Sequence, residues 1–190
     1  VTPASGQVTV AWTATPLAAN GGSAITGYRV ERSVDGVSWA TAASGIAGTS
    51  QVVTGLANGT SYLFRVSAAN AVGESPFTAP VAGIPASTPT APQSISALAG
   101  NGEVTLAWTA PSSAGGSPVL RYVVERYDTG TSSWVVVDNN VTALSLLVTG
   151  LTNGTAYDFR VSAINSAGTG ASTALATSVT PATVPSAAVI

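Results

Sequence analysis

One segment of this chain is written twice. Gly55-Leu56-Ala57-Asn58-Gly59-Thr60-Ser61-Tyr62-Leu63-Phe64-Arg65-Val66-Ser67-Ala68 returns, 95 positions on, as Gly150-Leu151-Thr152-Asn153-Gly154-Thr155-Ala156-Tyr157-Asp158-Phe159-Arg160-Val161-Ser162-Ala163. A period of that length is one small domain, too long for a solenoid unit. Other landmarks keep the beat. Gly6-Gln7-Val8-Thr9-Val10-Ala11-Trp12-Thr13 matches Gly102-Glu103-Val104-Thr105-Leu106-Ala107-Trp108-Thr109, Tyr28-Arg29-Val30-Glu31-Arg32 matches Tyr122-Val123-Val124-Glu125-Arg126, and Trp39 answers Trp134. The offset drifts between 96, 94 and 95, so insertions and deletions fall between the landmarks, where loops belong. Two homologous modules are expected, at 1–85 and 92–181, with a Pro-rich linker at 86–91 and a tail at 182–190.

Within each module the apolar pattern has period two, and no helical period is sustained. Tyr28 and Val30 share one face of a strand while Arg29 and Glu31 share the other. Tyr62, Phe64, Val66 and Ala68 alternate in the same way with Leu63, Arg65 and Ser67. Val8, Val10 and Trp12, with Val104, Leu106 and Trp108, form an inward stripe on an earlier strand. Turn signals such as Asn20-Gly21-Gly22, Asp35-Gly36, Asn58-Gly59, Asp128-Thr129-Gly130 and Asn153-Gly154 separate these runs at short intervals. Six or seven short antiparallel strands per module make an all-β sandwich.

Composition narrows the function classes. The net charge of -2 argues against nucleic acid or an anionic membrane surface as partner, since both need clustered cations. No apolar run approaches the roughly 18–20 residues of a membrane helix, so no membrane insertion is expected. The chain starts without Met or a signal-like segment, which reads as a mature protein or an excised piece. With no cysteine, each module must rely on its packed core.

The residues above resemble the fibronectin type III family over nearly the whole chain. The likeness rests on Trp12 and Trp108 in the second strand, and on Tyr28 and Tyr122 in the third. Gly55-Leu56 through Tyr62 and Gly150-Leu151 through Tyr157, each followed by Phe-Arg-Val, carry it further. The last hairpins, Asn70-Ala71-Val72-Gly73 and Asn165-Ser166-Ala167-Gly168, complete it. The resemblance implies two immunoglobulin-like sandwiches in tandem, end to end. Their cores would use Trp12, Tyr28, Leu56, Tyr62, Trp108, Tyr122, Leu151 and Tyr157. It also implies a tyrosine corner, in which a Tyr hydroxyl bonds to backbone a few residues upstream.

Two places depart from the pattern. Before Trp108 the stretch Ala91–Leu98 supplies a first strand, whereas before Trp12 only Val1–Ser5 remain, so most of that strand is expected to be missing. After Pro181 the tail Ala182–Ile190 looks like the linker and opening strand of a further module. A loose tail is the simpler expectation, and donation of the tail to the open edge of another copy is the sharper one. The linker prolines favour extended conformers and a semi-rigid spacer.

Catalytic chemistry has little to draw on. The chain contains no His, Cys or Lys, so it offers no histidine triad, thiol nucleophile, Schiff base or usual zinc set, and no cofactor is expected. The eight carboxylates, Glu31, Asp35, Glu74, Glu103, Glu125, Asp128, Asp138 and Asp158, fall mostly on loops and exposed faces. Asp138-Asn139-Asn140 offers oxygens to calcium but has no second acidic cluster nearby in sequence, so no metal is expected. The resemblance implies that the third and sixth strands are neighbours, so Glu31 with Arg65, and Glu125 with Arg160, are expected to pair across them. Trp39 and Trp134 are the candidate ligand residues. Exposed, each would stack on a sugar ring, and otherwise each covers the edge of its own core. Asn58-Gly-Thr60, Asn140-Val-Thr142 and Asn153-Gly-Thr155 fit the glycosylation sequon, two of them being turns in their own right. No Arg-Gly-Asp occurs.

The expected function is non-catalytic. Small-residue-rich copies of the module without cysteine or lysine resemble those of bacterial extracellular proteins. That resemblance implies an extracellular spacer or presentation stalk holding adjoining domains of a bacterial secreted or surface protein. Adhesion to a polysaccharide or a host protein through Trp39, Trp134 or the loops near Glu74 and Thr169, and head-to-tail assembly by edge-strand donation, are the alternatives.

Overall fold

The computed structural model describes residues 1–185, and these divide into two compact units that part between Ser87 and Thr88. The first unit contains β1 (Thr2–Ala4), β2 (Gln7–Ala11), β3 (Ile25–Ser33), β4 (Ala40–Ile46), β5 (Ser50–Thr54), β6 (Tyr62–Asn70) and β7 (Val81–Gly83). Its sheets run β1-β2-β5 and β4-β3-β6-β7, with antiparallel pairing throughout. The second unit repeats the plan with β8 (Gln93–Ala99), β9 (Glu103–Thr109), β10 (Arg121–Asp128), β11 (Ser133–Val141), β12 (Ser145–Thr149), β13 (Phe159–Asn165) and β14 (Gly168–Ala174). Its sheets run β8-β9-β12 and β11-β10-β13-β14. One 3-10 turn at Leu17–Ala19 is the helical content of the described residues.

Alternation becomes burial in both units. Val8, Val10, Tyr28, Val30, Val53, Leu56, Phe64 and Val66 form one core, with Trp12 and Tyr62 partly buried against it. Val104, Leu106, Trp108, Tyr122, Val124, Leu151, Phe159 and Val161 are among the members of the other, and Tyr157 packs at its side. Each Trp meets its Tyr across the sandwich, with ring centroids 5.3 Å apart for Trp12–Tyr28 and 5.5 Å for Trp108–Tyr122. At roughly 25 cal/mol per Å² of apolar surface removed from water, these clusters supply the main force for folding.

The repeated sentence is a corner. The backbone N–H of Ala57 donates to the Tyr62 hydroxyl at 3.1 Å, and Thr152 does the same to Tyr157 at 3.0 Å. Donation from Thr152 holds the Tyr157 phenol below its usual range. The Asn-Gly turns ahead of these tyrosines serve the fold directly. Asn58 Oδ1 accepts from Gly6 N–H and Asn153 Oδ1 from Gly102 N–H, each at 2.8 Å. Gly6 and Gly102 both sit at positive φ (67° and 69°), where glycine carries no Cβ penalty.

The units differ at their first strands. β1 pairs with β2 through Pro3↔Val8, the register in which β8 pairs with β9 through Ala99↔Val104. β1 has three residues and β8 has seven. The Pro-rich segment is integrated with the modules. Pro85 accepts from Gly59 N–H at 2.8 Å, while Thr90 N–H donates to Ser113 at 2.9 Å.

Candidate functional site

The four-stranded sheet of each unit carries a charged ladder on its outer face. Register sets it up, because Glu31 stands directly opposite Arg65, and Glu125 directly opposite Arg160. Arg65 donates from Nε and Nη2 to Glu31 Oε2 at 2.9 and 2.7 Å. Arg160 donates from Nε to Glu125 Oε2 at 2.6 Å and from Nη2 to Oε1 at 2.9 Å, a two-point contact suited to a planar guanidinium. Although it points away from the core, Glu31 is buried, because the arginines and rings beside it shut out water. Arg29 adds a second cation at 3.1 Å from Glu31 and reaches Glu74 at 3.3 Å.

Trp39 and Trp134 belong to these ladders. The Arg65 guanidinium carbon lies 3.9 Å from the Trp39 ring centroid and 4.2 Å from that of Phe77. Arg160 lies 4.5 Å from Trp134. The negative face of an indole attracts a cation, and Trp is the strongest such partner. Trp39 is held from behind by its hairpin, where its Nε1–H donates to Gly36 at 3.1 Å. That hairpin is locked by Asp35, whose Oδ1 accepts from the Val37 and Ser38 N–H groups at 2.9 and 2.8 Å and from the Ser33 hydroxyl at 2.8 Å. Donation from Ser38, then Val37, then Ser33 holds the Asp35 carboxyl well below the usual carboxylate range. In the second unit Tyr127 packs edge-on to Trp134 at 5.4 Å. A sugar stacking on the arginine-bearing face of either Trp would compete with that arginine.

Phe77, Arg29 and Glu74 enlarge the first ladder; the sequence offered the loop near Glu74 for binding but did not single out Phe77 or Arg29 as site residues. The counterparts of Phe77 and Arg29 in the second module are Ser172 and Val123, so the repeat itself gave no reason to single them out. The remaining carboxylates do not gather. Among the described residues no three acidic side chains converge as a metal site would require, and Asp138 accepts from the Asn140 N–H at 2.8 Å. A loop cleft of about 410 Å³ lies between Asn20-Gly21 and Val72-Gly73-Glu74 in the first unit. Among the described residues no helix is long and apolar enough to cross a membrane.

Two sandwiches of three and four strands, each with a tyrosine corner and an Arg–Trp ladder, define a tandem of immunoglobulin-like modules. The family model for the Fibronectin type III domain matches residues 1–84 and 88–179, and the chain belongs to that family. It is 38% identical to Myomesin-2 of Homo sapiens over 125 residues, covering 63% of this chain and 8% of that protein. It is 33% identical to Exoglucanase B of Cellulomonas fimi over 186 residues, covering 93% of this chain and 15% of that protein. The chain thus spans a small part, 8% to 16%, of the length of these curated relatives. Among solved structures, domains A168-A170 of titin superpose with a TM-score of 0.60 at 22% identity, over 90% of this chain and 57% of that one. The chicken CNTN1 FN1-FN3 domains give 0.56 at 20%, over 96% and 66%. Both likenesses concern the fold.

Proposed function

We propose that the chain is a non-catalytic spacer that holds adjoining domains of a bacterial secreted or cell-surface protein at a set separation. The observation that carries this reading is the duplication of the ladder. Glu–Arg–Trp recurs in both modules as part of the sheet, which is the behaviour of framework. The likeness to Exoglucanase B supports it, since 93% of this chain corresponds to a minor portion of that much longer protein. A spacer acts by geometry, raising the effective concentration of what it joins near a surface. The prolines from Pro85 to Pro92 limit bending at the junction, because each fixes one backbone angle.

The test is a distance measurement. With a spin label near each end of the chain, pulsed electron resonance should give one narrow distance distribution, unlike a Gly/Ser linker of equal length. A distribution as broad as the Gly/Ser control would rule out the spacer role. Depletion of the isolated chain from solution by insoluble cellulose, lost on substituting Trp39 and Trp134 by Ala, would move the function to binding.

A further inference from the structure

Asparagine is thermolabile, and most so ahead of glycine, where no side chain keeps the next backbone nitrogen away from the asparagine side-chain carbon. This chain has four such pairs: Asn20-Gly21, Asn58-Gly59, Asn101-Gly102 and Asn153-Gly154. The reaction needs the glycine N–H free, since that nitrogen must lose its proton and turn toward the side chain.

Three of the four pairs are tied down. Gly59 N–H donates to the Pro85 carbonyl at 2.8 Å, and Gly154 N–H to the Pro181 carbonyl at 2.9 Å. Gly102 N–H donates to Asn153 Oδ1 at 2.8 Å. The side-chain amides are held as well. Asn58 Oδ1 accepts from Gly6 N–H at 2.8 Å, and its Nδ2 donates to the Ser5 hydroxyl at 3.3 Å. Asn153 Nδ2 donates to Asn101 Oδ1 at 2.7 Å.

Asn20-Gly21 is built the other way. Among the described residues the Gly21 N–H has no hydrogen-bond partner, and neither has Asn20 Nδ2. Asn20 Oδ1 accepts from the Gly22 N–H at 2.9 Å, a local turn that folds the side chain back along the main chain and draws electrons from its carbonyl carbon. Exposure alone would rank the pairs in the opposite order, because Asn58, Asn101 and Asn153 are exposed and Asn20 is half-buried.

We propose that Asn20 is a self-modification site, at which the chain converts asparagine to isoaspartate and aspartate. The Gly21 nitrogen bonds to Asn20 Cγ, the Cγ–Nδ2 bond breaks, and ammonia leaves with the Gly21 proton. Water then opens the cyclic imide. Opening at the main-chain carbonyl gives isoaspartate, which lengthens the main chain by one carbon, and opening at Cγ gives aspartate. Either product places a carboxylate in the cleft that Asn20 shares with Asn70 and Glu74. The carbonyl that isoaspartate formation takes out of the main chain is the one that accepts from Asn70 Nδ2 at 2.8 Å. Asn70 in turn holds the last hairpin, its Oδ1 accepting from the Val72 and Gly73 N–H groups at 2.9 and 3.1 Å. The spacer reading does not depend on this site.

Ageing the 190-residue chain in mildly alkaline buffer is the test, because cleavage after arginine leaves the four pairs in four peptides, 1–29, 33–65, 66–121 and 127–160. Mass spectrometry should find Asn20 converted, with the gain of one mass unit, at least about tenfold faster than Asn58, Asn101 and Asn153, which must first break their hydrogen bonds. In urea the four should react at similar rates. Asn153→Ala frees the Gly102 N–H, so Asn101 should then react faster while Asn20 keeps its rate. The amide resonances of Val72 and Gly73 should shift in step with the product. Equal rates in the folded chain, a faster reaction at another pair, the same ranking in urea, or an Asn101 rate unmoved by Asn153→Ala would each overturn the proposal.

Discussion

Glu31 shows how one side chain turns an outward-facing position into a buried one. It faces two arginines, and its side chain is 9% exposed, against 16% for Glu125, which faces one. Hydrogen bonds to charged groups contribute about 1.5–3 kcal/mol where water is excluded, and less where one partner stays wet. Glu31→Gln should accordingly destabilise the first unit by about 1–2 kcal/mol, and Glu125→Gln the second by less. Urea unfolding of each variant measures the difference, and equal losses would show that Arg29 and the deeper burial of Glu31 contribute nothing. Asp35 makes a prediction about acid. Its folded-state carboxyl titrates below its ordinary value of about 3.9, so its contribution is fully present above that value and is lost as pH falls through the folded one. Asp35→Asn should flatten the loss of stability below about pH 4 while weakening the hairpin at neutral pH. NMR titration of the Asp35 carboxyl checks the premise, which fails if the midpoint lies at the ordinary value. Strand faces were legible in the alternation, and the Glu–Arg pairing in the family resemblance, which sets the third and sixth strands side by side. That Arg65 would cap Trp39 was not, since the hairpin that aims the indole is built by local Asp35 hydrogen bonds outside the period-two pattern.

At the scale of elements, the tyrosine strands were the most legible, since Gly-Leu, Asn-Gly and Tyr stand at fixed spacing and each has its own structural task. The last strands were the least. In the second unit β14 runs unbroken enough to pair over Gly168–Ala174. In the first, the same stretch holds Pro76 and meets β6 partly through side chains. There Ser75 Oγ accepts from Ala68 N–H at 3.0 Å and Thr78 Oγ1 from Val66 N–H at 3.1 Å. Proline cannot donate to a ladder, which is why hydroxyls substitute for backbone there. The Pro-rich joint also differs from a free linker, because the second unit closes over Pro89. A Cβ on Gly170 would collide with the Pro89 carbonyl, a backbone atom that a rotamer change cannot move aside. Gly170→Ala should therefore cost about 1–3 kcal/mol, the range for overpacking. Hydrogen exchange should show Thr90 N–H losing protection in that variant, and unchanged protection there would mean that the lead-in segment is not seated on β14.

For the molecule as a whole, the two apolar clusters share no residue, and each tyrosine corner closes its own sandwich. Stability should then be nearly a sum of two separate terms. Tyr62→Phe removes the acceptor for Ala57 N–H and leaves the ring in place, so the expected cost is about 0.5–1.5 kcal/mol. In a domain of this size that lowers the midpoint by about 4–8 °C per kcal/mol. Tyr157→Phe should act alike on the second unit. Scanning calorimetry of the full chain reads both effects at once. The transition of the substituted unit should move down while the other stays within error, and the double variant should reproduce the two single shifts. If Tyr62→Phe moved both transitions together, the modules would be coupled in folding. A spacer whose modules unfold one at a time lengthens in steps under load, whereas a coupled pair would give way in one.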